Sequence, residues 1–321
     1  MDLIAQPPAV MTWAVQGKLL LRTVALLTAL ACAACEATPV VPTSPPPTSG
    51  GDTPTLTPTS APMSTEAPLA ALVNGQPIYL ADYEREVRQY QADMGENDAA
   101  QVRGWILEWM ITEVLIEQAA ATAGVVVSDA EVDAQMQQIV AENGGEEAFQ
   151  AKLAARGETY EDAWRKQRRE MIVAAMNQRI SDAVPEVAEQ VHARHILVDT
   201  QEEAERILAQ LQAGADFATL AQAYSQDANT RDSGGDLGFF PRGLLLTAPE
   251  VEEVAFALQP GQFSGVVTSP LGYHIVQVVE RDPARPISPD DRRLLQERAL
   301  QEWVGNLWAR ATIQTFVDVS P

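Results

Sequence analysis

The chain has 321 residues, 44 of them Asp or Glu against 22 Lys or Arg, for a formal net charge of −22. At roughly 100–200 residues per domain this allows two domains plus tails, and an apolar fraction of 46% supplies real cores. The acidic excess argues against nucleic acid and against general adhesion to anionic headgroups, both of which need clustered Lys and Arg. Two Cys rule out a disulfide scaffold and a four-Cys zinc site.

Residues 1–35 read as an address. Lys18 and Arg22 precede an apolar run from Thr23 to Ala34 that ends in small residues around Cys32 and Cys35. A basic start, a short apolar run and a small-residue exit describe a secretory signal. The run is shorter than the ~20 residues that span a bilayer. Residues 36–68 hold nine Pro among 33 residues, with Thr, Ser and Gly and no Lys or Arg. Such a stretch cannot bury enough apolar surface to offset its ordering entropy and reads as an extended tether.

The folded part starts with an extended piece at Ala71–Ile78, holding the Asn74-Gly75 turn, and a helix from about Asp82 to Met94. A helix from about Asp98 to Ala123 is apolar on most sides, with a polar line at Glu108, Glu113 and Glu117, so it is expected to be buried. Ser128-x-x-Glu131 opens a helix to about Glu142, a shorter one ends at Arg156, and Thr159-x-x-Asp162 opens another that stops before Pro185. Residues 69–190 thus read as an all-helical unit with 22 acidic and 10 basic side chains.

Residues 191–283 change character. Val191–Val198 alternates as a strand, and Thr200-x-x-Glu203 and Asp216 open two helices. A glycine-rich turn leads to a strand at Leu237–Phe240, Thr247-x-x-Glu250 caps a helix to Leu258, and Val266–Thr268 and Tyr273–Val279 are two last strands. The order β-α-α-β-α-β-β is that of a compact α+β domain. In residues 284–321, Ser288-Pro289-Asp290-Asp291 opens a final helix. Its stripe of Leu300, Trp303, Val304, Leu307, Trp308 and Ala311 has nothing to pack on alone. It is expected to return to the N-terminal helices, which makes the α+β domain an insert; the alternative is that it rides on that domain.

All three His fall on strands, and two of them point off apolar faces. His195 shares parity with Val191, Ala193 and Leu197, and His274 with Val276 and Val278. Periodicity alone leaves a pair of hydrogen-bonded core histidines as an open reading. A metal site lacks a third ligand at a familiar spacing, and no Gly-x-Ser-x-Gly elbow supports a serine hydrolase.

Five ordered stretches carry a resemblance. They are Ala193-Arg194-His195-Ile196-Leu197-Val198, Tyr224-Ser225-Gln226-Asp227, Gly234-Gly235-Asp236-Leu237-Gly238-Phe239-Phe240, Ala255-Phe256-Ala257-Leu258 and Leu271-Gly272-Tyr273-His274-Ile275. Together they resemble a parvulin-type peptidyl-prolyl isomerase domain. The wider layout resembles the PrsA- and SurA-type foldases of the bacterial envelope, and Ala29-Leu30-Ala31-Cys32 resembles a lipobox with Cys32 as the lipidated residue. The resemblance implies an α+β fold: a four-stranded antiparallel sheet with surrounding helices, inserted in a helical chaperone domain. It implies catalytic roles for His195, Asp227, His274 and Ser269, with Leu237, Phe240, Leu245, Val251 and Phe256 around the proline ring. Val251 departs from the pattern, which has an aromatic there. The loop at Asp199–Glu203 has no Arg or Lys to clasp a phosphate, so a phospho-dependent reader is not expected. No cofactor or metal is implied. The expected partners are unfolded exported polypeptides with X-Pro bonds, met at the outer face of a membrane through an N-terminal lipid anchor.

Overall fold

The computed structural model describes residues 67–94, 99–245 and 247–318. The expectations for the signal region, for Cys32 and for nearly all of the tether lie outside them. Among the described residues, no helix is long and apolar enough to cross a membrane. The chain divides into two compact units, one ending at Ala175 and resuming at Gly305, the other Met176–Val304.

The first unit opens with β1 (Leu69–Val73) and β2 (Gln76–Tyr79), an antiparallel hairpin. Asn74 (φ 49°) and Gly75 (φ 85°) make its turn, the positive-φ pair that two-residue hairpins need. Four helices follow: α1 (Leu80–Met94), α2 (Ala99–Thr122), α3 (Asp129–Glu142) and α4 (Glu146–Arg156). The next helix, α5 (Tyr160–Asp182), begins in this unit and ends in the other. Ser128 and Glu131 form the reciprocal capping box that their spacing predicts, and Thr159 and Asp162 exchange the same bonds.

Two cores result. Ala71, Val73, Ile78, Tyr83, Ile106 and Leu115 anchor one, and Val132, Met136, Phe149 and Leu153 the other. Leu307, Trp308 and Ala311 pack on the first, where Trp308 Nε1 donates to Thr112 Oγ1 at 3.1 Å. A short strand, β7 (Ile313–Thr315), pairs antiparallel with β1, giving the sheet order β2-β1-β7. The unit read as all-helical therefore carries a small sheet as well. Its third strand has only three residues, and its partner lies some 240 positions earlier, so no local alternation announces it. Glu113 of α2 is largely buried, its side chain 15% exposed, with a carboxylate oxygen 3.4 Å from Arg169 Nε. Burial pushes its pKa up to about 8 against the opposing pull of Arg169 and Lys166.

The second unit is built on the sheet β4-β3-β6-β5, antiparallel throughout. In chain order its elements are β3 (Val187–Val198), α6 (Gln201–Gln212), α7 (Phe217–Tyr224), β4 (Asp236–Pro241), α8 (Pro249–Ala257), β5 (Val267–Ser269) and β6 (Gly272–Pro286). Helix α9 (Pro289–Arg310) follows. The central strands are longer than their alternation suggests, because register shifts at Ala188/Gln190 and His192/Ala193 break the parity while pairing continues to Val187↔Pro286. Both faces of the sheet are covered. Ile196, Val198 and Ile275 pack with α6 and α7 on one face, and Val191, Ala193, Val276 and Val278 with α8 on the other. Thr247 does not cap α8. Ala248 occupies the N-cap without a side-chain bond, and Pro249 starts the helix, where its fixed φ suits the first turn.

Candidate active site

The two central strands place the histidines. In the β3–β6 register His195 faces Val276 and Leu197 faces His274, so the histidines are diagonal neighbours, within reach of one another across a pair of strands. Their rings stack at 5.5 Å between centroids and 21° between planes. Their Nδ1 atoms stand 3.3 Å apart. His274 is fully buried, and His195 is 7% exposed.

Asp227 arrives from the loop after α7, which is stitched to β3. Gln226 N donates to Leu197 O at 2.7 Å, and Leu197 N donates to Ser225 Oγ at 3.2 Å. This brings Asp227 Oδ2 to 2.7 Å from His195 Nε2. Thr230 Oγ1 donates to the same oxygen at 2.6 Å, and Asn229 N donates to Oδ1 at 3.1 Å. On the other side, the Gly234-Gly235 turn lies against the backbone of His195, whose N donates to Gly235 O at 2.8 Å. Gly235 has φ +81°, and a Cβ there would stand 2.1 Å from His195 O. Only glycine fits that approach.

Ser269, at the end of β5, completes the row: its Oγ is 2.7 Å from His274 Nε2 and accepts from Leu271 N at 3.0 Å. The network constrains the proton positions. Asp227 is held below the usual carboxylate range: burial alone would raise it, but bonds from Thr230, His195 and Asn229 outweigh that. An ionised Asp227 requires the proton of His195 on Nε2. Between the two rings one Nδ1 donates and the other accepts, and His274 Nε2 pairs in the same way with the Ser269 hydroxyl. Hydrogen-bonded pairs run without a break from Leu271 N to Asp227. Burial, then the neighbouring His195, pushes the His274 pKa down to about 4, so its neutral form holds through physiological pH.

The five apolar candidates fall in one cluster on the α8 face, which His195 shares with Val191 and Ala193. Phe240, Val251 and Phe256 are 3%, 1% and 5% exposed and form its interior. Phe240 and Phe256 meet edge to face at 6.1 Å. Leu237 and Leu245 remain partly exposed and are the members able to touch a ligand. The Arg242 guanidinium covers the Phe256 ring at 4.1 Å. Sequence reasoning missed Thr230, whose hydroxyl is also 3.0 Å from His195 Nε2. Its signal is the three-residue step from Asp227: Asn229 N donates to Asp227 Oδ1 in an Asx turn, and Thr230 N and Arg231 N donate to the Asp227 backbone carbonyl at 3.2 and 2.8 Å.

Residues 188–280 match the rotamase family, the PPIC-type PPIase domain. Residues 56–155 match the SurA-like N-terminal domain. The chain thus carries a peptidyl-prolyl cis-trans isomerase domain of PPIC type alongside a SurA-like domain. It is 30% identical over 240 residues to the foldase protein PrsA of Caldanaerobacter subterraneus, covering 65% of this chain and 72% of that one. It belongs to the PrsA foldase family. It is also 35% identical over 161 residues to the chaperone SurA of Nitrosospira multiformis, spanning 44% of this chain and 36% of that protein. Among solved structures, a PrsA peptidyl-prolyl isomerase from Bacillus cereus aligns with a TM-score of 0.45 and 22% identity, over 76% of this chain and 90% of the other.

Proposed function

We propose that the chain isomerises X-Pro bonds of exported polypeptides at the outer face of a membrane, with His195, His274, Ser269, Asp227 and Thr230 as the polar side of the site. Leu237 and Leu245, backed by Phe240, Val251 and Phe256, form the side that receives the proline ring. The observation that carries this reading is the uninterrupted row of hydrogen bonds from Leu271 N to Asp227.

Twisting a peptide bond crosses about 18–20 kcal/mol of lost amide resonance, while the two X-Pro isomers differ by only about 0.5–1 kcal/mol. The task is kinetic. A thousandfold acceleration needs roughly 4 kcal/mol of preference for the twisted amide over either planar form. The row suits that task. Asp227 is already occupied by three donors, which argues against attack on the substrate, and the neutral imidazole of His274 provides a fixed dipole without a stray charge. An apolar wall holds the ring while the carbonyl swings past the polar side. His195→Ala and Asp227→Ala are each expected to slow isomerisation of an X-Pro peptide at least tenfold with far-UV circular dichroism unchanged. Full activity in both would remove the assignment.

In this reading residues 1–35 are a signal with Cys32 lipidated, 36–68 a tether, 69–190 with 284–321 a helical chaperone domain, and 191–283 the isomerase. A second reading has two observations in its favour. Val251 stands where the family pattern has an aromatic, and Arg242 covers Phe256, which suits a chaperone whose isomerase is weak. If Asp227→Ala suppresses client aggregation as well as the parent while the parent itself isomerises no peptide, this second reading holds.

A further inference from the structure

Between the end of β4 at Pro241 and the start of α8 at Pro249, the described residues form no ladder or helix, so the backbone N–H groups of residues 243–245 need other partners. One carboxylate supplies all three. Glu252 Oε1 accepts from Gly243 N at 2.7 Å, and Oε2 accepts from Leu244 N and Leu245 N at 3.1 Å each. Three converging N–H groups make an anion nest, and Glu252 fills it from α8, on the turn of helix that also carries Val251 and Phe256.

The other side of the loop is held by α9. Arg298 Nη1 donates to Gly243 O at 2.7 Å, and its Nε donates to Glu302 at 2.7 Å, which fixes the guanidinium. Gly243 has φ +96°, and a Cβ there would stand 3.0 Å from Leu295 Cδ2 and 3.3 Å from Arg298 Nη1. The loop borders a cleft of about 570 Å³ lined by Pro185, Ile287 and Leu295 among others. Leu244 and Leu245 pack on the apolar cluster, and the polar clamps fix the backbone between them and β4.

We infer that Glu252 and Arg298 are positioning residues for substrate binding, setting where Leu245 stands relative to Val251 and Phe256. Arg298 lies outside residues 188–280 that match the isomerase family, so the shape of the proline wall depends on a helix the isomerase domain does not contain. The inference rests on the reading that Leu245 touches the proline ring.

The test is kinetic, on the full chain with a proline-containing tetrapeptide as probe. Leu245→Ala, Glu252→Gln and Arg298→Ala are each expected to raise KM roughly 3- to 10-fold with kcat within about twofold, and Arg298→Lys to recover part of the loss. If Leu245→Ala raises KM while Glu252→Gln and Arg298→Ala do not, the inference fails and the wall assignment stands. If Leu245→Ala leaves KM unchanged, the wall assignment fails and the inference with it. Loss of kcat together with amide protection across β3 and β4 in both clamp variants would mark a merely structural role and also overturn it.

Discussion

Gly235→Ala is a sharp test of how the glycine turn holds His195. An Ala Cβ at residue 235 would lie 2.1 Å from His195 O and 3.1 Å from its carbonyl carbon. Both are backbone atoms of a strand paired on each side, so no flexible side chain can yield. Reaching an ordinary contact needs a shift of about 1 Å. His195 Nε2 stands 2.7 Å from Asp227 and 3.0 Å from Thr230, and a 1 Å displacement takes both beyond hydrogen-bonding range. Positive φ costs an Ala about 1–2 kcal/mol, and the overlap adds about 1–3 kcal/mol. Gly238 is the control: its φ is +68°, and a Cβ there meets nothing within 4 Å. Native-state hydrogen exchange of the β3 amides measures the local cost, alongside kcat/KM for an X-Pro peptide. Gly235→Ala is expected to lower β3 protection by about 1–3 kcal/mol more than Gly238→Ala, and to cut kcat/KM at least tenfold. Equal effects of the two substitutions on both readouts would refute the steric argument.

Two predictions concern pH. His274, with its pKa pushed down to about 4, stays neutral in NMR titrations from pH 8 to pH 5; since its unfolded value is about 6.5, its contribution is complete above that pH and lost as pH falls toward 4, by at most about 3 kcal/mol. A His274 titration near 6.5 would contradict its buried, neutral state. Glu113, raised to about 8, works in the opposite sense: its contribution is complete below its unfolded value of about 4.5 and drains as pH rises through 8. Glu113→Gln is therefore expected to match the parent at pH 5 and exceed its stability at pH 9 by on the order of 1–3 kcal/mol in urea titrations. A variant less stable than the parent at pH 9 would contradict it.

What the sequence made legible follows the reach of its signals. Helix starts at Ser128, Thr159 and Thr200 are written within four residues, and the structure forms each cap. Alternation set His195 and His274 on apolar strand faces, because the pleat alone determines which side a residue takes. That they meet each other depends on the β3–β6 register, which no single strand records; only the resemblance pointed to it. Thr230 escaped because its role is a turn closing on Asp227, with no periodicity to reveal it. Thr247 misled because a spacing that fits a cap does not say where Pro249 will start the helix. Glu252 reads as one more acid on an exposed face until residues 243–245 are seen to lack other partners.

The central claim is that this site lowers the barrier to X-Pro rotation. The most direct measurement is the refolding of a proline-limited substrate protein, whose uncatalysed phase takes tens of seconds, in the presence of residues 67–321 as parent and as the His195→Ala/Asp227→Ala double variant. The parent is expected to accelerate the slow phase in proportion to its concentration, and the double variant to leave it near the uncatalysed rate. Equal acceleration by both proteins, or none by the parent, would contradict the account.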